Sequence, residues 1–220
     1  MRFVVSAILA LGFASLVPFS EARVTQDSAK LSPERSSALV RYRIDPAQSK
    51  FMVVAPRGGL AWFKGHSHYI AARDFEGEAE LTLDAVTPAS LQMTVHAASL
   101  EETGADFTPE QKATIKKELN EIVLETAKYP DITFKSTDVK GSVKNGAFDV
   151  EITGDLTLHG VTRRIEIPAA VTVTGDTIHA VGKFDINRKK FNVNATDAFH
   201  GFVRVKHRLR FSFDIIGQRV

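Results

Sequence analysis

The sequence contains no cysteine among its 220 residues. That absence excludes disulfide staples, cysteine nucleophiles, cysteine-ligated zinc and iron–sulfur clusters. A dominant charge sign is also missing: 28 Lys and Arg against 26 Asp and Glu leave a net charge of +2. With a sequence pI of about 8.8, the balance is too mild to argue for nucleic acid as a partner. Beyond Ala22 no stretch is apolar enough to cross a bilayer as a helix. There is no Gly-x-Ser-x-Gly elbow, no His-Glu-x-x-His motif, and no pair of carboxylates at inward-facing strand positions. The sequence therefore points to no enzyme and to no cofactor.

What is present begins with an export pattern. Arg2 precedes an apolar run from Phe3 to Val17, and Ser20-Glu21-Ala22 places small residues at the two positions that a signal peptidase reads. The pattern predicts a signal peptide over 1–22 and a periplasmic or secreted mature protein. Residues 23–40 are polar and without period, a flexible lead-in. The remainder has no Pro/Gly/Ser-rich linker, so 41–217 reads as one domain.

Alternation dominates that domain. Phe75, Gly77, Ala79, Leu81 and Leu83 fall on one face of a strand and Glu76, Glu78, Glu80 and Thr82 on the other. Leu91, Met93, Val95 and Ala97 repeat the pattern, as do Phe148, Val150, Ile152, Gly154, Leu156 and Leu158. Segments with one buried and one wet face are antiparallel strands. Asn145-Gly146, His159-Gly160 and Gly175-Asp176 supply the turns between them. One segment breaks the period. Thr108-Pro109-Glu110-Gln111 reads as a capping box with proline at the first helical position, and Ile115, Leu119, Ile122 and Val123 recur at helical spacing. A helix is predicted over 109–127, covering an open end or side of the sheet.

About eight strands and one helix predict a mainly β fold, an antiparallel lipocalin-like barrel, with a two-sheet sandwich as the alternative. Small inward residues at Gly77, Ala79, Ala97, Gly154, Ala180 and Gly182 either leave a cavity or accommodate bends and large rings from neighbouring strands.

The chain resembles the YceI-like family, exported bacterial proteins that bind polyisoprenoid and related lipids in such a barrel. Tyr42 to Val53 is similar to the family's opening strand. Lys128 to Thr137, KYPDITFKST, resembles its Phe-Pro-x-Ile-x-Phe-x-Ser motif, with Tyr129 in the first place. Gly154 to Pro168, GDLTLHGVTRRIEIP, is the most specific signature. Asn187 to Val193 resembles an Arg-Ser-Asp-Phe-Gly-Ile stretch, with Lys190 in place of the Asp and Asn192 in place of the Gly. Lys64-Gly65-His66-Ser67-His68 matches a Gly-His-x-His branch of the family.

Inward parity collects Phe51, Val53, Phe75, Leu81, Met93 and Ile132, then Phe134, Phe148, Leu156, Phe184, Phe211 and Phe213. By itself a phenylalanine stripe is an ordinary core. The resemblance makes these residues the lining of a site for a long apolar lipid, isoprenoid or quinone-like, at about 0.8 kcal/mol per buried CH₂. His66 and His68 lie two apart, on one side of an extended chain. They read as polar groups at the barrel mouth that contact a ligand head, or as structural groups satisfying loop carbonyls. A metal or haem module needs further ligands, for which His207, inward by parity on the last strand, is the candidate. Arg204, Lys206, Arg208 and Arg210 share one face of that strand. They form either a dock for transient contact with an anionic membrane surface or a solvated row paired with acidic strands. A barrel with a filled core that works by binding proteins is a third reading.

Overall fold

The computed structural model describes residues 38–58, 65–194 and 204–220. The predicted signal peptide and residues 23–37 of the predicted lead-in lie outside the described residues. The chain opens with β1 (Val40–Ile44), β2 (Lys50–Ala55) and the short β3 (Arg57–Gly58), followed by β4 (His68–Ala72), β5 (Phe75–Leu81), β6 (Ala89–His96) and the short β7 (Glu101–Glu102). The helix α1 (Pro109–Glu118) comes next. Long strands follow: β8 (Asp131–Lys144), β9 (Ala147–Leu158), β10 (Val161–Thr174) and β11 (Thr177–Asn187), then β12 (Arg204–Val205) and β13 (Arg208–Arg219).

All pairings are antiparallel, and the order β1-β5-β6-β8-β9-β10-β11-β13 returns to β1. The result is a closed eight-stranded barrel, as the alternation predicts, and not a sandwich. The closure is split. Residues 217–219 of β13 pair with β1, whereas residues 210–214 pair with β2. β2 carries β4, and β4 carries β7, so the second half of the barrel flares beyond the ring. The handover falls on Asp45 to Ser49. Asp45 N–H donates to the Ile216 carbonyl at 2.8 Å. The Ser49 hydroxyl accepts from Ile216 N–H at 2.9 Å and donates to the Asp45 carbonyl at 2.6 Å. One serine thus satisfies the backbone that neither β1 nor β2 reaches.

The turns follow their chemistry. Asn145-Gly146 and His159-Gly160 both have positive φ at each residue, the geometry of the two-residue hairpin that matches strand twist. The capping box forms as read: Gln111 N–H donates to the Thr108 hydroxyl, and Thr108 N–H donates to the Gln111 side-chain carbonyl. The helix is shorter than predicted. It gives way at Leu119–Val123 to a wide π-turn in which Leu124 N–H reaches back to the Leu119 carbonyl at 2.9 Å. The extra residue in that turn shifts the phase of the stripe. Ile115, Leu119 and Val123 still face the barrel, but Ile122 turns outward and is 57% exposed.

Two apolar clusters fill the barrel. The floor, at the β1 end, packs Val40, Tyr42, Leu81, Phe148, Val150 and Val171. The upper cluster packs Ile70, Phe75, Val95, Phe134, Leu156 and Ile186 with their neighbours. The inward glycines are occupied places. The Phe134 ring lies where a Gly154 side chain would start, and the Phe213 ring does the same over Gly182. A Cβ on Gly77 would come within 2.7 Å of Ile44 Cδ1 and of the Gln92 carbonyl oxygen. Ala79 and Ala180, by contrast, face open space.

Gly154→Leu is therefore expected to overpack the wall at a cost of about 1–3 kcal/mol, lowering the melting temperature by about 2–12 °C. Unchanged melting would show that the ring of Phe134 does not occupy that place. Ser49→Ala strands Ile216 N–H without its acceptor and should cost about 1–3 kcal/mol. Denaturant titration measures it, with Thr at the same position expected to restore most of the loss.

Candidate functional site

The space beneath α1 is a cavity of about 270 Å³ that reaches from the helix segment through the upper half of the barrel to Tyr42, Ala79 and Val171. Ten of the residues selected by parity and motif line it: Phe51, Val53, Met93, Ile132, Phe134, Leu156, Phe184, Phe211, Phe213 and His68. Its aromatic wall is continuous. Phe184 stacks on Phe211 at 4.9 Å, and Phe51 and Phe213 lean against that pair at 6.1 and 6.5 Å. Rings so arranged present edges and faces to an apolar guest without offering it a polar atom.

Four selected residues lie elsewhere. Leu81 and Phe148 belong to the filled floor, and Phe75, 2% exposed, is packed at the β4–β5 corner. Parity assigns the inside of a strand but not the height along it, and these three sit above or below the hollow. His66 is exposed at the mouth and does not line the cavity. Missed by the earlier selection are Ile165 and Ile167 on β10, and Ile115, Leu119 and Val123 on the helix segment. The alternation in RIEIPAAVTV carried the first two. The helical stripe carried the others, but gave no sign that its surface closes the same space.

The two mouth histidines hold the entry to the helix. Phe107, directly before the cap residue Thr108, stacks on the His68 ring at 5.2 Å and meets the His66 ring edge-on at 5.4 Å. His68 Nδ1 lies 2.8 Å from Glu102 Oε2. The Glu102 side chain is wholly buried, and its other oxygen accepts from Gly104 N–H at 2.7 Å and Tyr69 N–H at 3.1 Å. At the far end of the segment His159 Nε2 contacts Glu125 Oε2 at 2.7 Å, while Tyr129 covers Gly160 and packs on the His159 ring at 4.4 Å. The helix segment is thus fastened at its start by the Phe107 stack on the mouth histidines and at its end by the His159–Glu125 contact, although α1 itself has no buried residue.

His207 does not face the cavity. The last strand is broken at 206–207, so His207 is exposed although Val205 and Leu209 on either side of it line the cavity, and its carbonyl accepts from Arg188 N–H at 2.9 Å. Among the described residues no three His, Asp or Glu side chains gather as a metal site. Charges on the outer face pair across strands: Arg208 pairs with Asp185 at 2.6 Å, and the acidic strand β5 pairs with β1 through Arg41–Glu80 and Arg43–Glu78.

Polar side chains on the cavity wall are few. Tyr42 is 1% exposed, and burial pushes its phenol above the ordinary tyrosine value. Arg188, 6% exposed, donates to the carbonyls of Val193 at 2.8 Å, Val205 at 3.3 Å and Lys206 at 3.4 Å. Its neighbours explain the NRKKFNV stretch. Phe191 and Val193 are buried, and Asn192 takes the left-handed φ of 57° that a glycine would otherwise supply.

The comparisons with known proteins agree with this architecture. The YceI-like domain matches residues 42–216. Protein YceI of Escherichia coli O17:K52:H18 is 31% identical over 197 residues, covering 85% of this chain and 86% of that protein. Two solved structures share the fold. BcnA of Burkholderia cenocepacia superposes with a TM-score of 0.60 at 21% identity, over 79% of this chain and 98% of that one. A polyisoprenoid binding domain from Saccharophagus degradans gives 0.60 at 15% identity, over 82% and 99%. The motifs that carry the likeness meet in space: Phe134 of KYPDITFKST rests on Gly154 of GDLTLHG, and Tyr129 rests on Gly160. By its matched length, its relatives and its fold, the chain belongs to the YceI-like domain family.

Proposed function

We infer that this chain is an exported binding protein that sequesters or carries one long apolar lipid, isoprenoid or quinone-like, inside its barrel. The observation that carries the reading is the cavity itself, walled by Phe, Ile, Leu and Met side chains under a helix segment that contributes no buried residue of its own. Transfer of each CH₂ from water to such a wall is worth about 0.8 kcal/mol, so an extended hydrocarbon binds well without a strong polar contact. The similarity to a polyisoprenoid binding domain supports the isoprenoid class. The pattern of residues 1–22 supports export, to the periplasm or beyond. Among the described residues the wall is apolar apart from Tyr42, His68, Glu118, Thr133 and Arg188, which supports binding as its role.

The test is native mass spectrometry of the protein purified from the periplasm of its own cell. A co-purifying lipid at one per chain is expected. A bound metal or haem, or an empty protein that captures only other proteins, contradicts the reading. The companion variant is Ala79→Leu, which adds a side chain to open cavity space at a position with no glycine-like backbone demand. It should melt within about 4 °C of the wild type and lose most of the extractable lipid. A folded variant carrying the wild-type amount of lipid would show that the guest does not lie against β5.

A further inference from the structure

The Glu102–His68 contact has a chemical direction. A carboxylate only accepts hydrogen bonds, so the hydrogen of the neutral ring lies on Nδ1, and Nε2 is left as an acceptor. Glu102 is held in place by two backbone N–H donors and has no exposed side-chain surface, so the tautomer is fixed from behind. One face of the ring is covered by Phe107. His68 lines the cavity while its side chain remains 28% exposed, at the border between hollow and mouth. No described residue supplies a donor to Nε2. Among the charged groups of the wall, the Glu118 carboxylate repels an anion, and the Arg188 guanidinium has its N–H groups directed to three backbone carbonyls.

We propose that His68, with its tautomer set by Glu102, reads the head of the bound lipid as a neutral hydroxyl that donates to Nε2, so that the guest is a hydroxyl-headed isoprenoid and not its phosphorylated form. The proposal rests on the lipid-binding reading and deepens it. The apolar wall supplies affinity for the chain, and the histidine supplies choice of head. A guest without a donor forgoes that hydrogen bond at a partly exposed position, which lowers affinity by about tenfold.

The experiment measures binding of geranylgeraniol, its methyl ether and its diphosphate to the mature protein and two variants. Wild type should bind the alcohol about tenfold more tightly than the ether, and the diphosphate least. His68→Phe keeps the stack on Phe107 and should bind alcohol and ether alike. Glu102→Gln is the more discriminating variant. Its amide nitrogen donates to Nδ1, which moves the ring hydrogen to Nε2 and converts the acceptor into a donor. The ether then binds as well as the alcohol, although His68 is still present. Equal binding of alcohol and ether by wild type, a preference that survives in both variants, or tighter binding of the diphosphate overturns the proposal while leaving lipid binding intact. Failure of wild type to bind any of the three overturns the lipid reading and this inference with it.

Discussion

The architecture depends on one strand changing partners. β13 is paired along β11 on one side, but on the other it is shared between β1 and β2. If a single strand covered its whole length, the ring would close evenly and its interior would fill from end to end. Instead the β1 half closes over Leu81 and Phe148, with Tyr42 at the border of the hollow, and the β2 half flares. The flare sets a second edge, β4 with β7, beyond the ring, and Ile70 and His68 of β4 line the hollow there. Asp45 and Ser49 make the exchange tolerable by satisfying both backbone groups of Ile216.

The flare creates a space that the barrel cannot close with its own strands, and the helix segment answers that need. Its apolar side faces the hollow, and its ends are tied by aromatic and histidine contacts to β4 and to the β9–β10 turn. Local stability is lowest where few side chains are buried, and α1 has none. The element that completes the cavity is therefore held by few buried side chains of its own.

Much of this was legible in the residues. Alternation identified the inner face of the strands, the turn pairs marked three hairpins, and Thr108 to Gln111 marked the start of the helix. The order of motifs identified the family. Three things were hidden, each for a physical reason. Height along a strand has no periodic signal, so Leu81 and Phe148 of the filled floor looked the same as Phe134 and Phe211 of the hollow. Small inward residues do not announce whether they leave space or receive a ring: Gly154 and Gly182 receive one, whereas Ala79 faces the cavity. Breaks in regular structure carry no clear residue marker: the π-turn shifts the phase of the helical stripe at Ile122, and the interruption at 206–207 leaves His207 exposed between two inward residues. The spacing of the mouth histidines was visible, but their contact with Phe107 and the pairing of His68 with Glu102 join segments far apart in sequence.

The central claim is that the guest lies inside the barrel and not against its outer surface. The methionines offer a direct reading. The chain has three; Met93 lines the cavity, and Met52 lies in a shallow apolar groove on the outer face beside Pro168 and Val181. With ¹³C-methyl methionine, titration of the mature protein with geranylgeraniol is expected to shift the Met93 resonance, with intermolecular contacts to the prenyl methyls, and to leave Met52 where it was. A shift at Met52 with Met93 unmoved would place the lipid on the outside and contradict the account.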